Sequence, residues 1–224
     1  MSEPSVTLPF THEMVVIHRM FRRESSLAPT LVLGVAPRDS AQAQRVVDGI
    51  TSMLGVLHLH HTGEDLFLWP LLRERAPTQA ALLDEMEAQH AQIDPLIERV
   101  EALGATWAAE PTTETAGPYA DVLIELHRAL VVHLDQEESD ILPLAQETVS
   151  AQEWGQLGEY TVQNTPQEQL LHVMGAILED ANPDERALMM SAVPPPALEE
   201  WARVGRGAYI ESVTAMRGAP PAPL

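Results

Sequence analysis

The chain has 224 residues, 45% of them hydrophobic, enough for a packed core of about 145 residues with an appended piece. Its 33 acidic residues outweigh 13 basic ones, and a formal charge of -20 repels phosphate backbones and anionic lipid, so neither nucleic acid nor a membrane is an expected partner. Cysteine is absent, which excludes disulfides, thiolate ligands and cysteine nucleophiles and leaves nitrogen and oxygen to hold any metal. The start Met1-Ser-Glu-Pro-Ser carries no charged leader and no run of eighteen apolar residues occurs, so a soluble, cytoplasmic protein is expected.

Apolar residues recur at helical spacing nearly throughout, and the fold is expected to be all-α. Thr11 can cap a first helix that carries Met14, Ile17, His18 and Phe21 and ends between Gly34 and Pro37. Asp39 or Ser40 opens a second, running through His60 and Glu64 to about Arg75, with Pro70 kinking it or marking its last turns. After the break at Ala76-Pro-Thr78, a third helix spans about Gln79 to Ala108 with a bend at Pro95. The segment Glu110 to Pro118 reads as a loop, and a fourth helix starts at about Tyr119 and reaches Pro143 or a little beyond.

Two capping boxes, Ser150-Ala-Gln-Glu153 and Thr165-Pro-Gln-Glu168, open further helices. Breaks follow at Asn182-Pro183 and at the prolines 194–196, then a last helix from about Ala197 to Met216 and a disordered tail. The expected organisation is an up-down-up-down four-helix bundle over residues 10–147 and a helical extension over residues 150–217.

One phrase occurs twice: His60-x-x-x-Glu64-Asp65 with Pro70-Leu71, and His133-x-x-x-Glu137-Glu138 with Pro143-Leu144. Helical residues four apart share a face, so each phrase aims an imidazole and a carboxylate at a common point, as a metal ion requires. Composition alone yields about one His-x3-Glu pair. Two copies that agree in the following acid, the proline and the leucine are not explained that way. Each copy also has an upstream histidine, His18 lying 42 residues before His60 and His90 lying 43 before His133. The chain therefore reads as two helical hairpins, together offering His18, His60, Glu64, His90, His133 and Glu137 as candidate metal ligands.

Ferritin-like di-iron bundles need Glu-x-x-His on two helices, and this spacing occurs only at Glu87 to His90. The arrangement instead resembles the hemerythrin-like, or HHE cation-binding, family. The residues that carry the resemblance are His18 in Ile-His-Arg-Met-Phe, His60-His-Thr-Gly-Glu64-Asp with Leu-Trp-Pro70, His90 in Ala-Gln-His-Ala-Gln, and His133-Leu-Asp-Gln-Glu137-Glu with Ile-Leu-Pro143. The resemblance implies two non-haem iron ions, oxo- or hydroxo-bridged, with the four histidines as terminal ligands and Glu64 and Glu137 as bridges. Oxygen carriers of this family have a second histidine four residues after the helix-three ligand, where this chain has Asp94. That departure implies fewer nitrogens and open positions for a small diatomic or peroxide ligand.

Two functions fit: a protein that binds or senses O2, NO or iron, and a redox enzyme that dismutes peroxide or reduces NO. Zinc or manganese is an alternative occupant, because N/O sites accept several divalent ions. His61 lies three residues before Glu64 and either reaches the same ion or hydrogen-bonds a ligand, although Leu134 is its counterpart in the repeat. His12 and His127 lie about 240° round their helices from the proposed ligands. His58 turns well away from the Glu64 face and reads as an ordinary partly buried or surface histidine, and His172, outside the bundle, reads as structural. No Ser/His/Asp order or glycine-rich phosphate loop accompanies the histidines, so hydrolase chemistry has no foothold.

Overall fold

The computed structural model describes residues 10–224, and the Met1–Ser5 start considered above lies outside them. Among the described residues there is no strand, and the fold is all-α. The helices are α1 His12–Gly34, α2 Ser40–Gly63, α3 Trp69–Arg75, α4 Ala80–Ala109, α5 Thr113–Gln136, α6 Leu142–Thr148, α7 Ala151–Asn164, α8 Gln167–Leu178, α9 Pro183–Ser191, α10 Pro195–Glu200 and α11 Arg206–Arg217. None is long and apolar enough to cross a membrane. The chain divides into two compact units, one of Phe21–Asn164 and one of Met1–Met20 with Thr165–Leu224.

In the Phe21–Asn164 unit the long helices pack through narrow stripes. On α4 the buried positions include Leu83, Met86, His90, Ile93, Ile97, Val100, Gly104 and Trp107, alternating steps of three and four. The stripe of α5 runs through Ala116, Tyr119, Leu123, Leu126, Leu130 and His133 in the same rhythm. Such seams let neighbouring helices interdigitate at a shallow angle, and each buried leucine contributes about 1.5–3 kcal/mol. Gly104 is required where the stripes of α4 and α5 meet, because a Cβ there would come within 2.9 Å of the Tyr119 hydroxyl.

Both proline-bearing rods widen before they reach the proline. Between α2 and α3 the turn Glu64–Leu68 is π-helical, and the Trp69 N–H donates to the Glu64 carbonyl five residues back. Between α5 and α6 the turn Glu137–Ile141 repeats this, with the Leu142 N–H donating to Glu137. Pro70 and Pro143 then sit in the first turn of a new α segment, where a missing N–H costs little. α4 runs unbroken through Pro95.

Three local expectations need correction. The segment from Glu110 to Pro118 is not one loop, because α5 starts at Thr113. Thr112 and Thr115 cap that start reciprocally, and the fixed backbone angle of Pro118 suits the helix it interrupts by one hydrogen bond. The box at Ser150 and Glu153 forms, with the Ser150 N–H donating to Glu153 at 3.0 Å and the Glu153 N–H to Ser150 Oγ at 3.3 Å. The second box shifts: α8 begins one residue later than Thr165 would require, with Pro166 at its cap position. The last seven residues are also ordered. Gly218 ends α11 at φ 73°, a left-handed conformation that glycine adopts without strain, and the Ala222 N–H donates to Glu179.

The second unit is built on two buried carboxylates. Glu185 accepts from both Arg19 guanidinium nitrogens at 2.9 and 3.0 Å, from His12 at 2.9 Å and from the Asn182 N–H at 2.8 Å. Hydrogen bonding to Arg19, its strongest influence, holds its pKa at about 2. Glu179 accepts from the Tyr209 hydroxyl at 2.6 Å and from Arg217 at 2.8 Å. The Tyr209 ring lies directly against Gly175, where a side chain would occupy the same space.

Candidate metal centre

Five of the six predicted ligands lie in the Phe21–Asn164 unit, and all five are buried. They occupy positions on the core stripes where a packed bundle would otherwise carry leucine. His60 and His61 come from the last turn of α2, His90 from the middle of α4 and His133 from the end of α5. Glu64 and Glu137 are the first residues of the two π-helical turns and are fully shielded from solvent. Such turns recur at functional sites because they re-aim a side chain without ending the helix. The sixth residue, His18, is fully buried on α1, three residues before Phe21, and falls within the other compact unit.

The donor atoms converge in two groups. His61, His90 and His133 each offer a ring nitrogen, and these lie within 4.8 Å of one another. His60, Glu64 and Glu137 likewise present ligand atoms within 4.8 Å of one another. Glu64 stands between the groups: its Oε1 is 3.2 Å from His60 Nε2 and its Oε2 is 3.4 Å from His90 Nε2. Glu137 Oε2 is 3.7 Å from His133 Nε2.

Outer contacts orient the rings. Asp65 Oδ1 lies 2.9 Å from His90 Nδ1 and is itself held by the Trp69 indole N–H at 2.9 Å. His133 Nδ1 lies 3.1 Å from Gln89 Oε1, and the Gln89 amide donates to Gln136 at 2.7 Å. Both Nδ1 positions face acceptors, which selects the Nδ1–H tautomer and turns both Nε2 atoms inward, 3.3 Å apart. Burial pulls the His90 pKa down, but the Asp65 and Glu64 carboxylates outweigh it and raise the value to about 10. The cluster thus favours a positive charge at the point where the imidazoles meet.

The residues in second contact with the rings were only partly visible in the sequence. Asp65 is the acid that follows Glu64 in the first phrase, yet its counterpart Glu138 pairs with Arg22 at 2.6 Å instead. Gln89 and Gln136 carried no signal beyond their places next to His90 and Glu137. The other histidines have separate roles. His12 binds Glu185, the His127 ring meets Ser25 Oγ at 2.8 Å, and His172 packs edge-on to Tyr209. Trp69 is a buried core residue, as its place on the helix suggests, and it also anchors Asp65.

Imidazole and carboxylate in this ratio, shielded from water and oriented by hydrogen bonds, are the donor set of a first-row transition metal. The family model of the hemerythrin HHE cation binding domain matches residues 10–145. No curated protein and no solved structure matches the chain. The chain belongs to the hemerythrin HHE cation-binding domain family.

Proposed function

We propose that the protein is a non-haem di-iron protein that binds or senses O2, NO or iron. One ion would be held by His18 and His60 and the other by His90 and His133, with Glu64 and Glu137 shared between them. The observation that carries this reading is the placement of Glu64, whose two oxygens face histidines of different groups, at 3.2 and 3.4 Å. A carboxylate serving one ion has no need of that placement, and a bridging one does. His18 enters by its place in the repeat, 42 residues before His60, and by its full burial.

Iron held there would supply redox chemistry toward small ligands, while the chain itself shields the candidate site and orients its side chains. Asp65 and Gln89 hold the rings of His90 and His133, and the buried apolar stripes exclude bulk water. Two buried carboxylates would cost several kcal/mol each if left to the apolar core, and a cation offsets that cost. Iron analysis of the purified protein, with its visible spectrum, tests the proposal. Two irons per chain and the charge-transfer bands of a bridged pair are expected, and iron at trace level would overturn it.

A further inference from the structure

We propose that His61 supplies a third nitrogen to the ion held by His90 and His133, an inference that rests on the metal reading above. Helix α4 gives the centre one histidine only. Its buried stripe passes from His90 to Ile93 and Ile97, and Asp94, four residues after His90, is exposed. The position from which oxygen carriers of the family draw a further imidazole therefore does not face the site.

Helix α2 gives two. Adjacent helical residues diverge by about 100°, and His60 and His61 are both buried because the stripe is wide there. The His60 ring lies 5.2 Å from Phe21, whereas the His61 ring stacks on His90 at 4.0 Å, with 16° between the planes, and meets His133 edge-on at 5.0 Å. Its donor nitrogen lies within 4.8 Å of those of both partners.

The repeat supplies the control. The residue equivalent to His61 in the second phrase is Leu134, fully buried, so the fold at this position is satisfied by an apolar side chain. An imidazole there costs desolvation that leucine does not. Ligation offsets that cost. The two ions then differ: one has three imidazoles and the other two, and the first is the one that His61 substitutions should release.

The test uses the full chain with iron as the probe, comparing wild type, His61→Leu and His61→Ala by metal analysis, iron-edge X-ray absorption and circular dichroism. His61→Leu should keep wild-type helicity, lose about half of its iron through an affinity loss greater than the ~10–100-fold of an outer contact, and show fewer imidazoles per remaining iron. Added imidazole should restore iron to His61→Ala, which separates ligation from packing. Wild-type iron content and an unchanged imidazole signal in His61→Leu would overturn the role of His61 while leaving the di-iron reading intact. A wild type without iron would overturn both.

Discussion

Two pairs of buried glutamates solve one physical problem in two ways. In the unit that contains the C-terminal helices, Glu185 and Glu179 are gripped by the guanidinium groups of Arg19 and Arg217 at 2.9 and 2.8 Å. In the Phe21–Asn164 unit, Glu64 and Glu137 face imidazoles at 3.2 to 3.7 Å. Arginine is a permanent cation whose planar fork matches a carboxylate, so the first solution is closed and structural. Imidazole is neutral when its proton leaves and then presents a lone pair, so the second solution stays open to a metal. The same residue, buried in both units, is a fastener in one place and a candidate ligand in the other because of what faces it.

Removing one carboxylate from each pair should have opposite consequences. Glu64→Ala should abolish binding of the metal pair, with an affinity loss beyond the ~10–100-fold typical of outer contacts. Titration of metal-free protein would read this, and a variant that still loads two irons would contradict a shared role for Glu64. Glu179→Ala should instead leave iron content unchanged but destabilise the protein by about 3–5 kcal/mol, because the largely shielded Arg217 guanidinium and Tyr209 hydroxyl would both lose the carboxylate they bind. Denaturant unfolding measures that loss, and a drop in iron content without a drop in stability would reverse the assignment. Asp65→Ala should fall between them, lowering metal affinity by ~10–100-fold through loss of His90 orientation while the fold persists.

The two solutions should also part company with pH. At pH 7 the metal-free protein holds a proton on His90, whose pKa is about 10, and a metal must displace it. Metal affinity should therefore fall by about tenfold for each unit of pH lost, from this group alone. Glu185 behaves in the opposite sense. Its folded pKa of about 2 lies below the ordinary value near 4.5, so its contribution to stability is complete above 4.5 and is lost as pH falls through 2. Acid should empty the imidazole site first and loosen the arginine-held carboxylate last. Comparing iron content and melting temperature along one pH series checks the order, with Glu185→Gln as the variant whose melting deficit vanishes near pH 2.

Much of the centre was legible in the sequence, because helical spacing projects directly onto a face. His60 with Glu64, and His133 with Glu137, are candidates by the four-residue rule alone, and the upstream His18 and His90 are candidates by the repeat. The prolines of the repeat were visible too, but their consequence was not. A kink is the ordinary expectation for Pro70 and Pro143, whereas a π-helical turn places Glu64 and Glu137 and relieves the proline upstream. His61 stayed ambiguous because periodicity assigns one angle to each position and cannot tell a wide core stripe from a narrow one. The start of α5 is hidden for a related reason: Gly117 and Pro118 read as breakers, but the reciprocal cap of Thr112 and Thr115 begins the helix before them. The tail read as disordered because its composition hides the single backbone N–H that reaches Glu179.

The most direct test of the shared-carboxylate centre is an anaerobic ferrous iron titration of the metal-free protein, followed by the bound iron per chain. A break at two irons in the wild type, lost in Glu64→Ala, is the predicted result. Saturation at a single iron, or identical titrations of the two proteins, would contradict it.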